Sequence, residues 1–146
     1  MLKKTVYVLL LVVVIYFFLR LVFKNSTSTI QINNRTLKVA LAKTTSEKQK
    51  GLGGVYKLNE NEGMLFVMGQ KNRYGFWMKG MKIPIDIIWI SDNKIIDISQ
   101  NIDIAQGEFK VYYPTTPVNY VLEVSSGYCK RYNIRIGDVV VGLNQI

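Results

Sequence analysis

The stretch Gly63–Ser91, GMLFVMGQKNRYGFWMKGMKIPIDIIWIS, constrains this fold more than any other. It holds both tryptophans, Trp77 and Trp89, and four of the five methionines. It divides into three strand-length segments, Met64 to Met68, Tyr74 to Lys79 and Ile85 to Ile90. Gly69 to Arg73 supplies a first turn and Gly80 to Pro84 a second. So many large apolar side chains belong to the centre of a core or to the wall of a pocket in it. Two charged residues, Lys79 and Asp86, interrupt it. If the second and third segments pair as a hairpin, the two face each other across the turn. They then form a structural ion pair or serve a ligand.

The flanking sequence has the same short-strand character. Ile30 and Ile32 alternate with Gln31, and Leu37, Val39 and Leu41 alternate with polar or small neighbours. Asn33-Asn34 between them tolerates the left-handed backbone of a tight hairpin turn. Ser46 with Gln49 fits a capping box and predicts a short helix from Glu47 to about Leu52, ended by Gly51, Gly53 and Gly54. Lys94 to Ser99 reads as a strand after the turn Ser91-Asp92-Asn93. Residues 102–113 are less regular. Asn119 to Ser125 alternates cleanly, with Tyr120, Leu122 and Val124 on one face and Val121, Glu123 and Ser125 on the other. One helical turn within Ser126 to Tyr132 and a closing strand Val139 to Leu143 complete the chain. The expected fold is mainly β: a compact antiparallel sandwich or barrel with one or two short helices.

Residues 5–23, TVYVLLLVVVIYFFLRLVF, carry one charge, Arg20. As a helix they would span roughly 28 Å, close to the hydrocarbon thickness of a bilayer. No Ala-x-Ala site follows, and the run is long for a cleaved signal peptide. The expected organisation is a signal anchor at 1–24, a linker at 25–29 and a β domain at 30–146. Lys3 and Lys4 ahead of the run are matched by Arg20 and Lys24 at its end, so the charge bias nearly cancels. The expectation of a C-terminal domain outside the cytoplasm rests on the lysine pair ahead of the first apolar run staying inside. Of 19 basic residues, four flank or sit in the anchor, which leaves 15 against 10 acidic ones. They are dispersed, with no run longer than two. That pattern suits a solvated surface near an anionic membrane and does not suggest nucleic acid.

The chain has no histidine and one cysteine, Cys129. A Ser-His-Asp triad, a Cys-His nucleophile, histidine-ligated zinc and an intramolecular disulfide are therefore excluded. Met64, Met68, Met78 and Met81 with Cys129 form a soft-ligand set on paper. Methionine beside aromatics is ordinary core filling, so no metal and no cofactor is expected.

Several separated segments resemble the DUF192 family. They are Glu47 to Leu52, Gly63-Met64-Leu65-Phe66, Phe76-Trp77-Met78-Lys79, Ile83-Pro84-Ile85-Asp86-Ile87, Val121-Leu122-Glu123 with Gly127, and Ile136-Gly137-Asp138. The resemblance covers roughly residues 37–143. It implies a compact, mainly β fold and agrees with an N-terminal anchor, but it implies no reaction. Gly80 and Met81 depart from the family's usual Asn-Thr, and Gly53 replaces a usual methionine.

The candidate ligand-binding residues are Trp77, Lys79, Asp86, Tyr113 and Glu123. Aromatic faces with a few polar groups suit a sugar, peptide or lipid, and core packing is the competing role. Glu123 either faces solvent, makes a structural hydrogen bond, or joins Asp86 as an acid–base pair. The first functional expectation is an envelope module that binds a small molecule or protein. The alternative is an envelope hydrolase or transferase using Asp86 and Glu123.

Overall fold

The computed structural model describes residues 26–107 and 110–146. The expected membrane helix lies outside the described residues. Among those described, no helix is long and apolar enough to cross a membrane.

Among the described residues, nine strands and three short α-helices follow one another. They are β1 (Thr27–Ile32), β2 (Arg35–Ala42), α1 (Thr45–Lys50), β3 (Glu62–Asn72), β4 (Phe76–Trp77), β5 (Ile85–Ser91), β6 (Lys94–Ile102), α2 (Ile104–Gly107), β7 (Val111–Tyr112), β8 (Val118–Ser125), α3 (Tyr128–Arg131) and β9 (Val140–Val141). Seven strands form one sheet in the order β6-β5-β8-β3-β2-β1-β9, and β4 pairs with β7 separately. The sheet curls until its edges meet. Lys94 bridges Val139, the Val140 amide donates to the Asn93 carbonyl at 2.8 Å, and the Gly137 amide to that of Ile95 at 2.8 Å.

The β1–β2 hairpin turns at Asn33 (φ 47°) and Asn34 (φ 62°), the left-handed pair that the two asparagines predict. Thr27 to Thr29, expected as linker, already belong to β1 and pair with Lys38 to Ala40. The sheet is not wholly antiparallel: β2 and β3 run parallel, joined by a crossover that contains α1. The turn expected at Gly69 to Arg73 is mostly strand, because β3 continues past a bulge to Asn72. The segment Tyr74 to Lys79 contributes only two strand residues. Gly75 packs so closely on Val111 and Tyr113 that an added Cβ would lie 2.7 and 2.9 Å from them. That contact commits β4 to β7 and leaves β5 to pair with β6 and β8.

Alternation along the strands produces two apolar layers, one on each face of the sheet. Inside the curl lie Leu37, Val39, Leu65, Ile88 and Leu122, closed at one end by Tyr128 and Cys129 of α3. Outside it lie Phe66, Phe76, Ile87, Trp89 and Val121, covered by β4, β7 and the segment after α1. β5 is therefore buried on both faces.

Candidate functional site

Glu123 sits on β8, between β3 and β5, and the alternation of that strand points it to the outer layer with Val121. The chain following α1 closes over it. α1 is capped by Thr44, two residues before the expected cap, with Glu47 rather than Gln49 completing the box. The Glu47 amide donates to Thr44 Oγ1 at 3.3 Å, and Glu47 Oε2 accepts from the amides of Thr44 (2.8 Å) and Lys43 (2.9 Å). The Thr44 amide first, then that of Lys43, holds the Glu47 carboxyl below its usual range. The helix stops at Gly51, whose φ of 50° and ψ of −139° suit glycine alone. A Cβ there would stand 3.3 Å from Phe66 Cζ and 3.7 Å from Glu123 Oε2. The bare backbone of Gly51 thus reaches the carboxyl without filling the space before it. The Gly54 amide donates to the Gly80 carbonyl at 3.0 Å and ties this loop to the turn after β4.

Between these segments lies a pocket of about 220 Å³, and Glu123 is part of its lining. Its walls are aromatic. Phe66 and Phe76 stack edge to face at 4.8 Å, and Phe76 does the same with Trp89 behind it at 5.4 Å. Trp77 and Tyr74 extend the wall outward, and Trp77 remains 47% exposed. Lys48, Lys50 and Lys79 stand around the opening.

Glu123 itself is only 4% exposed. Its Oε2 has no hydrogen-bond partner, and Leu52 is the backbone amide that favours its charge. Burial pushes its carboxyl up to about 8, against which that amide acts only weakly. At neutral pH the group is therefore mainly an uncharged carboxylic acid: a hydrogen-bond donor at the bottom of an apolar pocket. A second pocket, of about 380 Å³, lies across the Gly51–Leu52 segment beside Lys38 and Lys57. None of the buried unpartnered side-chain atoms found among the described residues lies there.

Trp77, Lys79 and Glu123 thus come together, and Asp86 and Tyr113 do not join them. Tyr113 is exposed, and its ring packs on Gly75 from outside the pocket. Asp86 is fully buried on the other face. Its Oδ1 accepts from the amides of Asn101 (2.8 Å) and Gly127 (3.1 Å), and its Oδ2 from that of Cys129 (3.0 Å). Gly127, the residue just before α3, has no side chain to cap the helix, and Asp86 supplies the cap from β5. The expected Lys79–Asp86 ion pair is not formed. Lys79 is exposed, and the salt bridges among the described residues are Lys71–Asp92 and Arg131–Glu60.

The acid–base pair of Asp86 and Glu123 fails for a geometric reason. Asp86 pairs with Val124, and Ile87 pairs with Glu123. The two carboxylates therefore project from opposite faces of the sheet. The soft-ligand set is split in the same way: Cys129 lies in the inner layer, and Met64, Met78 and Met81 lie in the outer one. Burial, and then the Asp86 carboxylate, raise the Cys129 thiol far above its ordinary range. Cys129 should resist a thiol reagent in the native protein and titrate as one thiol on unfolding; rapid labelling of the folded form would contradict this burial.

Gly51, Phe66, Phe76 and the two α1 lysines were not singled out as site residues by sequence. The one available signal was the glycine-rich Gly51-Leu52-Gly53-Gly54 following a capped helix.

The comparisons accord with this architecture. The chain is similar to a crystal structure of a Sinorhizobium meliloti protein described as a "putative transcription regulator", at 29% identity and a TM-score of 0.75, covering 81% of this chain and 95% of that one. It is also similar to a protein of unknown function from Novosphingobium aromaticivorans, at 28% identity and a TM-score of 0.75, covering 80% and 85%. No curated protein matches the chain. The model of the DUF192 family, described as uncharacterized ACR, matches residues 27–142, from the first strand to the last, and the chain belongs to that family.

Proposed function

We propose that the domain is a small-molecule-binding module whose site is the Glu123 pocket, held at the cell envelope by the apolar segment 5–23. The observation that carries the binding reading is the unpartnered Oε2 of Glu123, buried and bordering an aromatic-walled pocket. A lost hydrogen bond at such depth is unfavourable by about 1–3 kcal/mol, and a ligand atom would restore it. The hydrolase or transferase alternative required Asp86 beside Glu123, and their opposite faces remove it. The description of the Sinorhizobium meliloti protein is compatible with a domain that senses a ligand. The dispersed bases of this chain give no reason to add nucleic acid.

Two experiments test the two halves. The chain should stay with membranes through high-salt and alkaline washing, and protease added outside should digest the β domain; a soluble form lacking the N-terminal segment would contradict the anchoring. For the pocket, the two tryptophans offer separate fluorine NMR probes after fluorotryptophan labelling. A panel of small aromatic acids, amines and neutral aromatics should include members that shift the Trp77 signal. A panel that moves neither signal would count against binding in this pocket.

A further inference from the structure

Resting on the reading of the Glu123 pocket as a binding site, we propose that its ligand is an aromatic compound with a neutral hydrogen-bond acceptor at one end and an anionic group at the other. The acceptor meets Glu123, and the anion meets Lys48, Lys50 and Lys79.

Depth and charge divide the pocket into two ends. At the inner end stands one polar side-chain atom without a partner, Glu123 Oε2. Its carboxyl is mainly uncharged at neutral pH, so it can present an O–H to a carbonyl oxygen or ring nitrogen. A full anion at that depth would lose its hydration, and no lysine is among the groups that favour charge on Glu123; the three lysines lie at half-buried or exposed positions. A cation would have to pass those three like charges to reach an acid that is not ionised. Between the two ends the walls are Phe66, Phe76, Tyr74 and Trp77, whose faces and edges suit an aromatic ring. Gly51 keeps the inner end open, since its Cβ would intrude beside both Phe66 and Glu123. Lys48 and Lys50 of α1, Lys79 after β4 and Tyr74 before it are the titratable groups that share the pocket with Glu123.

Three probes of similar shape separate the claims in the full chain labelled with fluorotryptophan. They are a quinoline carboxylate with its ring nitrogen and carboxylate at opposite ends, the naphthoate lacking that nitrogen, and the corresponding aminomethylquinoline. At neutral pH the quinoline carboxylate should shift the Trp77 signal and bind at least about tenfold more tightly than either of the others, the loss expected for one unmade hydrogen bond or one misplaced charge. Its affinity should fall as pH rises through about 8. In Glu123→Gln, which keeps a donor at every pH, the affinity should stay level over that range. Equal binding of naphthoate, or tightest binding of the aminomethyl compound, would overturn the proposed class while leaving the pocket a binding site. If none of the three moves Trp77, the binding-site reading falls and the proposal with it.

Discussion

Replacing Glu123 with glutamine is expected to stabilise the protein at alkaline pH and to change it little in acid. The folded state keeps the Glu123 proton up to about 8, and the unfolded chain releases it near the ordinary value of 4.5. Between those values folding takes up a proton, so the native protein loses stability as pH rises. Below the lower value both states are protonated and the difference vanishes. Glutamine does not titrate. In urea denaturation the variant should match the native protein within about 1 kcal/mol at about pH 4, and exceed it by about 3–5 kcal/mol at about pH 9. Equal stability of the two proteins across the range would mean that the carboxylate is solvated, and the pocket would lose its donor.

The second large effect lies on the opposite face. Asp86→Ala leaves the amides of Asn101, Gly127 and Cys129 without their acceptor and removes the cap of α3. Each buried amide without a partner is unfavourable by about 1–3 kcal/mol, so a loss of about 3–5 kcal/mol is expected after partial relaxation. Lys79→Ala changes an exposed side chain and should stay within about 0.5 kcal/mol. The double variant should then equal the sum of the two, with no coupling between them. A coupling above about 1 kcal/mol would revive the ion pair that the geometry excludes.

These two carboxylates show where the sequence was legible. The β1–β2 hairpin and the faces of β8 were readable because each depends on local signals: two asparagines in a turn, and a period of two. The short helix was found, but its cap was displaced, since Thr44 with Glu47 and Ser46 with Gln49 both satisfy the capping pattern. The partner of Asp86 was not legible. Sequence proximity favoured Lys79 across the turn Gly80 to Pro84, whereas Asp86 spends its oxygens on amides 15 to 43 residues away. The parallel β2–β3 pair was missed because a crossover carrying only a short helix looks like a loop between antiparallel strands. Glu123 was visible as an acid in an apolar strand. Its burial was not, because that comes from α1 and the glycine loop folding over a strand some seventy residues further on.

The most direct test is a carbon NMR titration of the Glu123 carboxyl in the native protein. The expected midpoint is about 8, because burial disfavours the charged form. A midpoint near the ordinary 4.5 would contradict it, and with it the uncharged donor at the bottom of the pocket.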